Sequence, residues 1–147
     1  MKKFGTVILG LILLVSIFSS CSTDSGIENS NTALYKTAIE RYLNAYIKAD
    51  LDTMLDSMDA DGPLYPSPDA IENLRNTAEG SAIEGEIIVK ELTVLEESST
   101  KAKVKASIYM RLDISGNGDW QEDTSDTTLD LTLKNGTWRL YDVTEEN

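Results

Sequence analysis

Apolar positions recur every three or four residues between residues 32 and 80, and every second residue after Gly80. The first pattern predicts helices and the second predicts strands. Tyr35, Ile39, Tyr42, Tyr46 and Ala49 form one stripe, with Leu34, Ala38 and Leu43 beside it and Lys36, Glu40, Arg41, Asn44 and Lys48 on the polar face. A strong amphipathic helix capped by Asn31 or Thr32 follows from this spacing. Asp50 is expected to cap a short second helix carrying Leu51, Met54, Leu55 and Met58, which Asp59-Ala60-Asp61-Gly62-Pro63 breaks. Asp50, Asp52 and Asp56 then read as a cap and a solvated face. Ser67-Pro68-Asp69 opens a third helix, with Ile71 and Leu74 inward and an end near Gly80.

Strict alternation from Ala102 to Ile114 predicts a strand with one buried face (Ala102, Val104, Ala106, Ile108, Met110, Leu112, Ile114) and one wet face. The strand before it, Ile87 to Glu96, loses its alternation near Lys90 and Glu91, where a bulge is expected. Leu129, Leu131 and Leu133 mark a third strand, and Asn135-Gly136 supplies a two-residue hairpin into Thr137 to Thr144. The predicted fold class is α+β: N-terminal helices packed on one face of a curved four-stranded antiparallel sheet.

Upstream, Lys2 and Lys3 precede fifteen uncharged, mostly apolar residues from Phe4 to Phe18, then Ser19, Ser20 and Cys21, the single cysteine. This is a signal-peptide pattern, too short for the roughly 20 residues of a spanning helix. It resembles the lipobox of bacterial lipoproteins, with Phe18 where those proteins usually carry Leu. The resemblance implies lipidation of Cys21 and residence in the cell envelope, extracytoplasmic and anchored to the membrane by lipid. The expected organisation is residues 1–20 as signal peptide, 21–31 as a flexible tether and 32–147 as one domain. All 25 acidic residues but only 11 of the 13 basic ones lie beyond residue 20, a net charge of −14. That charge argues against a nucleic-acid partner and against electrostatic attachment to an anionic bilayer. One cysteine forbids an intramolecular disulfide, so the core must supply the stability.

The aromatic first helix ending in Lys48-Ala49-Asp50, the Leu51-Asp52-Thr53-Met54-Leu55 helix, the irregular exit from Asp59 to Pro66 and the closing Gly136-Thr137-Trp138-Arg139-Leu140 together resemble the nuclear transport factor 2-like superfamily. The resemblance spans roughly residues 32 to 145 and concerns shape, since none of these features is a catalytic motif. The superfamily, also called cystatin-like, holds isomerases, cyclases and dehydratases, but also secreted or lipid-anchored binding modules. Its members commonly dimerise through the outer sheet face, which here would carry Tyr109 and Arg111.

The chain contains no histidine, which removes the His and Asp pair of dehydratase-like members. An isomerase- or cyclase-type enzyme using Tyr and Asp is the alternative to a non-catalytic module that holds a small ligand or an envelope protein; a structural dimerisation module is the third reading. No cofactor motif is present. Asp113, Ser115, Asn117 and Gln121 stand at calcium-loop positions one, three, five and nine, with Gly118 at six. Thr124 replaces the position-twelve glutamate, and a hairpin turn at Asn117-Gly118 is the simpler expectation. Hairpin register then locates a ligand site. Two-residue turns at Asn135-Gly136 and Asn117-Gly118 would set Leu129 opposite both Asp142 and Ala106, with Ile108 opposite Thr127, Met110 opposite Ser125 and Leu112 opposite Asp123. Asp123, Ser125, Thr127 and Asp142 would thus cluster at the mouth of an apolar cone, with first-helix tyrosines, Tyr46 among them, across from them.

Overall fold

The structure is a computed structural model that describes residues 31–78 and 82–144. The expectations for Cys21, for the signal peptide, for most of the tether and for the helix end near Gly80 lie outside the described residues. Three helices, α1 (Thr32–Ile47), α2 (Leu51–Asp56) and α3 (Pro68–Ala78), precede four strands, β1 (Glu84–Glu97), β2 (Lys101–Asp113), β3 (Gln121–Lys134) and β4 (Thr137–Thr144). The strands form one antiparallel meander in the order β1-β2-β3-β4.

The alternation read along β2 is the burial pattern of that strand, and its apolar residues meet Tyr35, Ala38, Ile39, Tyr42, Ala45 and Ile47 of α1 in one core. Tyr35, Ile39, Val104, Ala106 and Leu140 are fully enclosed. Burying Ile39, Val104 or Leu140 contributes about 1.5–3 kcal/mol each. α1 ends in a Schellman motif: Ala49 N–H donates to Tyr46 O at 3.1 Å and Asp50 N–H to Ala45 O at 2.9 Å. Ala49 takes the left-handed position, with φ 54°. Asp50 caps α2 as expected, accepting from Thr53 N–H at 3.1 Å.

α1 runs antiparallel to β1 and bonds its open edge at Ile87 and Val89. Glu40 Oε1 accepts from Val89 N–H at 2.9 Å, and Asn44 Nδ2 donates to Ile87 O at 3.1 Å. One turn of the helix thereby satisfies backbone groups that an edge strand would otherwise present to solvent. The sequence places both residues on a solvated face; they are in fact half-buried. The opposite edge, on β4, is covered by the chain after α2. Leu140 N–H donates to Ser57 O at 2.9 Å, Leu140 O accepts from Asp59 N–H at 2.7 Å, and Leu64 N–H reaches Tyr141 O at 3.4 Å.

Several expectations are corrected. Asn31 stands at the N-cap of α1 without capping it: its backbone is already helical (φ −84°, ψ −20°), and its Nδ2 donates to Glu97 Oε1 at 2.7 Å. Asp56 is not simply solvated: it joins three elements through Arg41 (2.6 Å) and Arg139 (2.9 Å). Leu74 is 38% exposed, so α3 contributes little to the core. The bulge expected near Lys90 is present, since pairing skips from Val89 to Glu91, and a second one falls at Leu95.

The β2–β3 connection is not a two-residue turn. Both oxygens of the buried Asp113 carboxylate accept backbone N–H groups, from Asn117 at 3.3 Å and Gly118 at 2.7 Å. Gly116 and Gly118, at φ 65° and 84°, let residues 114–120 curl around that carboxylate. The register therefore moves by two: Ala106 faces Thr127, Ile108 faces Ser125, Met110 faces Asp123 and Leu112 faces Gln121. Ile114, expected inside, lies in this loop at 50% exposure.

The Asn135-Gly136 turn forms as expected, with φ 52° and 79° and with Leu133 opposite Trp138 and Leu131 opposite Leu140. Beyond Leu140, however, Tyr141 is bulged, so Asp142 faces Asp130 and Val143 faces Leu129. The cause lies far away in sequence. A Cβ on Gly62 would stand 2.5 Å from Tyr141 O, so only glycine lets residues 57–64 approach β4 closely enough to hold the bulge.

Candidate functional site

A register shift of two residues keeps a side chain on its face, whereas a shift of one turns it over. Asp123, Ser125 and Thr127 therefore remain on the inner face, opposite Met110, Ile108 and Ala106. Asp142 leaves it. Asp142 now shares the outer face with Asp130, which pairs with Lys103 at 3.7 Å and accepts from Thr144 Oγ1 at 3.4 Å. Asp142 is thus removed from the predicted cluster, and Val143 takes its place against the core.

The inner face is level with the second half of α1 at this end. Asn44 is bonded to Ile87, Ile87 pairs with Met110, and Met110 pairs with Asp123. Tyr46 follows Asn44, is half-buried and packs against the core. Burial pushes the Tyr46 hydroxyl above its usual value, and burial, then the neighbouring Tyr46, pushes Tyr42 up to about 12. Both are neutral hydrogen-bonding groups at physiological pH rather than bases. Ser125 and Thr127 are half-buried, while Asp123 is exposed and its Oδ1 accepts from Thr124 N–H at 2.8 Å.

Deeper in the cone the space is filled. The Tyr35 ring meets Trp138 edge-on, centroids 4.8 Å apart at 86°. The Tyr35 hydroxyl donates to Glu97 Oε1 at 2.5 Å, and burial, then that bond, raise its pKa to about 12. The deep end of the cone, along Leu129, Leu131, Leu140 and Trp138, is packed core.

Neither buried carboxylate of the described residues is set out for proton transfer. Asp113 closes its loop. Asp59 accepts from Thr132 Oγ1 at 2.5 Å and from Asp61 N–H at 3.1 Å, with Lys134 Nζ at 3.6 Å. Burial pushes the Asp59 carboxyl up, but the Thr132 hydroxyl, the Asp61 amide and Lys134 outweigh it and hold it below its ordinary value. Among the described residues, no group of three or more acidic or sulfur side chains is gathered as a metal would need.

The outer face is a lattice of charge. Arg111 pairs with Glu122 at 3.4 Å and stacks on Trp120 at 4.7 Å, and Lys90 lies 4.7 Å above the Tyr109 ring. A groove of about 450 Å³ opens on this face, lined by Glu96, Lys101, Lys103, Asp130, Thr132 and Tyr141 among others.

No family model matches the sequence, and no curated protein matches it. Solved structures do match in shape. A ketosteroid isomerase-like protein from Erwinia carotovora atroseptica is 20% identical, with a TM-score of 0.51 over 77% of this chain and 92% of that one. The association domain of C. elegans CaMKII is 20% identical, with a TM-score of 0.55 over 78% and 97%. An Ntf2-like protein involved in plasmid conjugation is 10% identical, with a TM-score of 0.55 over 90% of this chain and 46% of that one. At such identities the likeness is one of fold alone. Helices laid over one face of a curved four-stranded antiparallel sheet, matched by these structures, give this chain the nuclear transport factor 2-like, or cystatin-like, fold.

Proposed function

We propose that this chain is a non-catalytic binding module, held on the extracytoplasmic side of the cell envelope by lipid on Cys21, that takes a small ligand or an envelope protein at the open end of its inner face. One observation carries the reading: Asp123, Ser125 and Thr127 stand at successive inward positions beside Met110 and Ile108, the polar end of an otherwise apolar face. An apolar surface with a few convergent polar groups is the usual form of a ligand site. Tyr46 supplies a neutral hydroxyl from the helix side. The absence of histidine and the structural employment of Asp59 and Asp113 support binding over acid–base chemistry.

The test uses the full chain and the neutral apolar fluorophore N-phenyl-1-naphthylamine. Its fluorescence should rise on mixing, and Thr127→Trp, which fills the mouth, should abolish the rise. Asp142→Leu, on the outer face, should leave it intact. Equal fluorescence from wild type and Thr127→Trp would refute the site.

A further inference from the structure

The sheet has three stretches of open edge, and two of them are bulged and bonded in part by other elements. β1 carries bulges at Lys90 and Leu95 and has Glu40 and Asn44 bonded to its backbone. β4 carries the Tyr141 bulge and has residues 57–64 along it. The third stretch is the first half of β3. Among the described residues β4 ends at Thr144, opposite Thr128, so nothing described pairs with the far side of Gln121–Thr127.

The direction of the free groups follows from the ladder. Leu133 N–H donates to Thr100 O at 2.8 Å, on the β2 side, and the β2–β3 register runs unbroken from Gln121 to Thr132. Odd-numbered residues of β3 therefore bond β2, and the N–H and C=O groups of Glu122, Thr124 and Asp126 point away from it. Asp123 confirms this geometry, because its own carboxylate has folded onto Thr124 N–H at 2.8 Å. Unlike the covered edges, this stretch has no bulge relative to β2, and among the described residues no helix or loop is bonded along it. Its protection is charge alone: Asp119, Glu122, Asp123 and Asp126 fall within eight residues that contain no cation. Two of these acids are shared with β2, Glu122 with Arg111 at 3.4 Å and Asp126 with Lys105 at 3.8 Å. Trp120, 38% exposed, stands at the head of the edge.

We propose that the Gln121–Thr127 edge of β3 receives an extended, basic segment of a partner protein as an added strand. Backbone bonds to Glu122, Thr124 and Asp126 supply the pairing, and the acids select the partner's charge. A second copy of this edge is disfavoured, since it would set like charges across the new ladder. A lysine or arginine entering beside Asp123 draws that carboxylate off Thr124 N–H and frees the amide for the incoming strand. The inference goes beyond the inner-face mouth and shares only Asp123, Ser125 and Thr127 with it.

The probe is the peptide acetyl-Lys-Val-Lys-Val-Lys-Val-amide, tested on the full chain by isothermal titration and by amide hydrogen exchange. Controls are the same peptide N-methylated at alternate residues and its Glu-for-Lys counterpart. The basic peptide should bind, slow exchange at Glu122, Thr124 and Asp126, and lose affinity as salt rises. The N-methylated and acidic peptides should not bind. The paired reversal Glu122→Lys with Asp126→Lys should weaken the basic peptide by about tenfold or more. Equal binding of the N-methylated peptide, unchanged exchange at the three amides, or no binding of the basic peptide would each overturn the proposal. Naphthylamine fluorescence measured on the same sample separates its failure from failure of the inner-face site.

Discussion

Replacing Thr132 with Val removes one hydroxyl and keeps the side chain's shape. That hydroxyl donates to Asp59 Oδ2 at 2.5 Å, where both residues are buried. A hydrogen bond to a charged group is worth about 1.5–3 kcal/mol, and deleting the donor leaves a desolvated carboxylate oxygen short of a partner. For a domain of this size the loss corresponds to roughly 5–12 °C in Tm. The effect should depend on pH in a stated direction. The folded Asp59 carboxyl titrates below its unfolded value of about 3.9, so its stabilisation is present above that pH and is lost as pH falls through the folded value. The stability gap between wild type and Thr132→Val, measured by urea denaturation, should be widest near neutral pH and narrow in acid. A gap under about 0.5 kcal/mol at neutral pH, or one of equal size at both, would refute the claim that Asp59 latches residues 57–64 to the sheet.

Ala49→Gly should stabilise the domain by about 1 kcal/mol, because Ala occupies a left-handed Schellman position at φ 54° that glycine takes without strain; thermal denaturation reads it. Tyr42, raised to about 12, should remain protonated when exposed tyrosines have ionised, in an ultraviolet pH titration. A folded value above the unfolded one means that its contribution is complete below about pH 10 and is lost as pH rises through the folded value. Cys21→Ser should release the chain from the membrane fraction and abolish incorporation of labelled fatty acid.

The sequence was most informative where structure is decided locally. Asn135-Gly136 needs left-handed backbone at both positions, which these two residues tolerate, so Leu133 opposite Trp138 could be read directly. The broken alternation at Lys90 likewise announced its bulge. Asn117-Gly118 misled because Asp113, four residues away, captures the amides of the turn and widens it into a loop. The bulge at Tyr141 depends on Gly62, and Asp59 finds Thr132 across a similar sequence separation. No local pattern carries such pairings. Parity decided which residues kept the expected face: Asp123, Ser125 and Thr127 stay inward through a slip of two, whereas a slip of one turns Asp142 outward.

Native mass spectrometry of the full chain after mild detergent extraction tests the binding reading most directly. The inner-face site predicts a bound species on the wild-type protein, in excess of the polypeptide and its lipid, that Thr127→Trp no longer carries and Asp142→Leu still does. A wild-type chain that flies bare, or a bound species that Thr127→Trp retains, would contradict it.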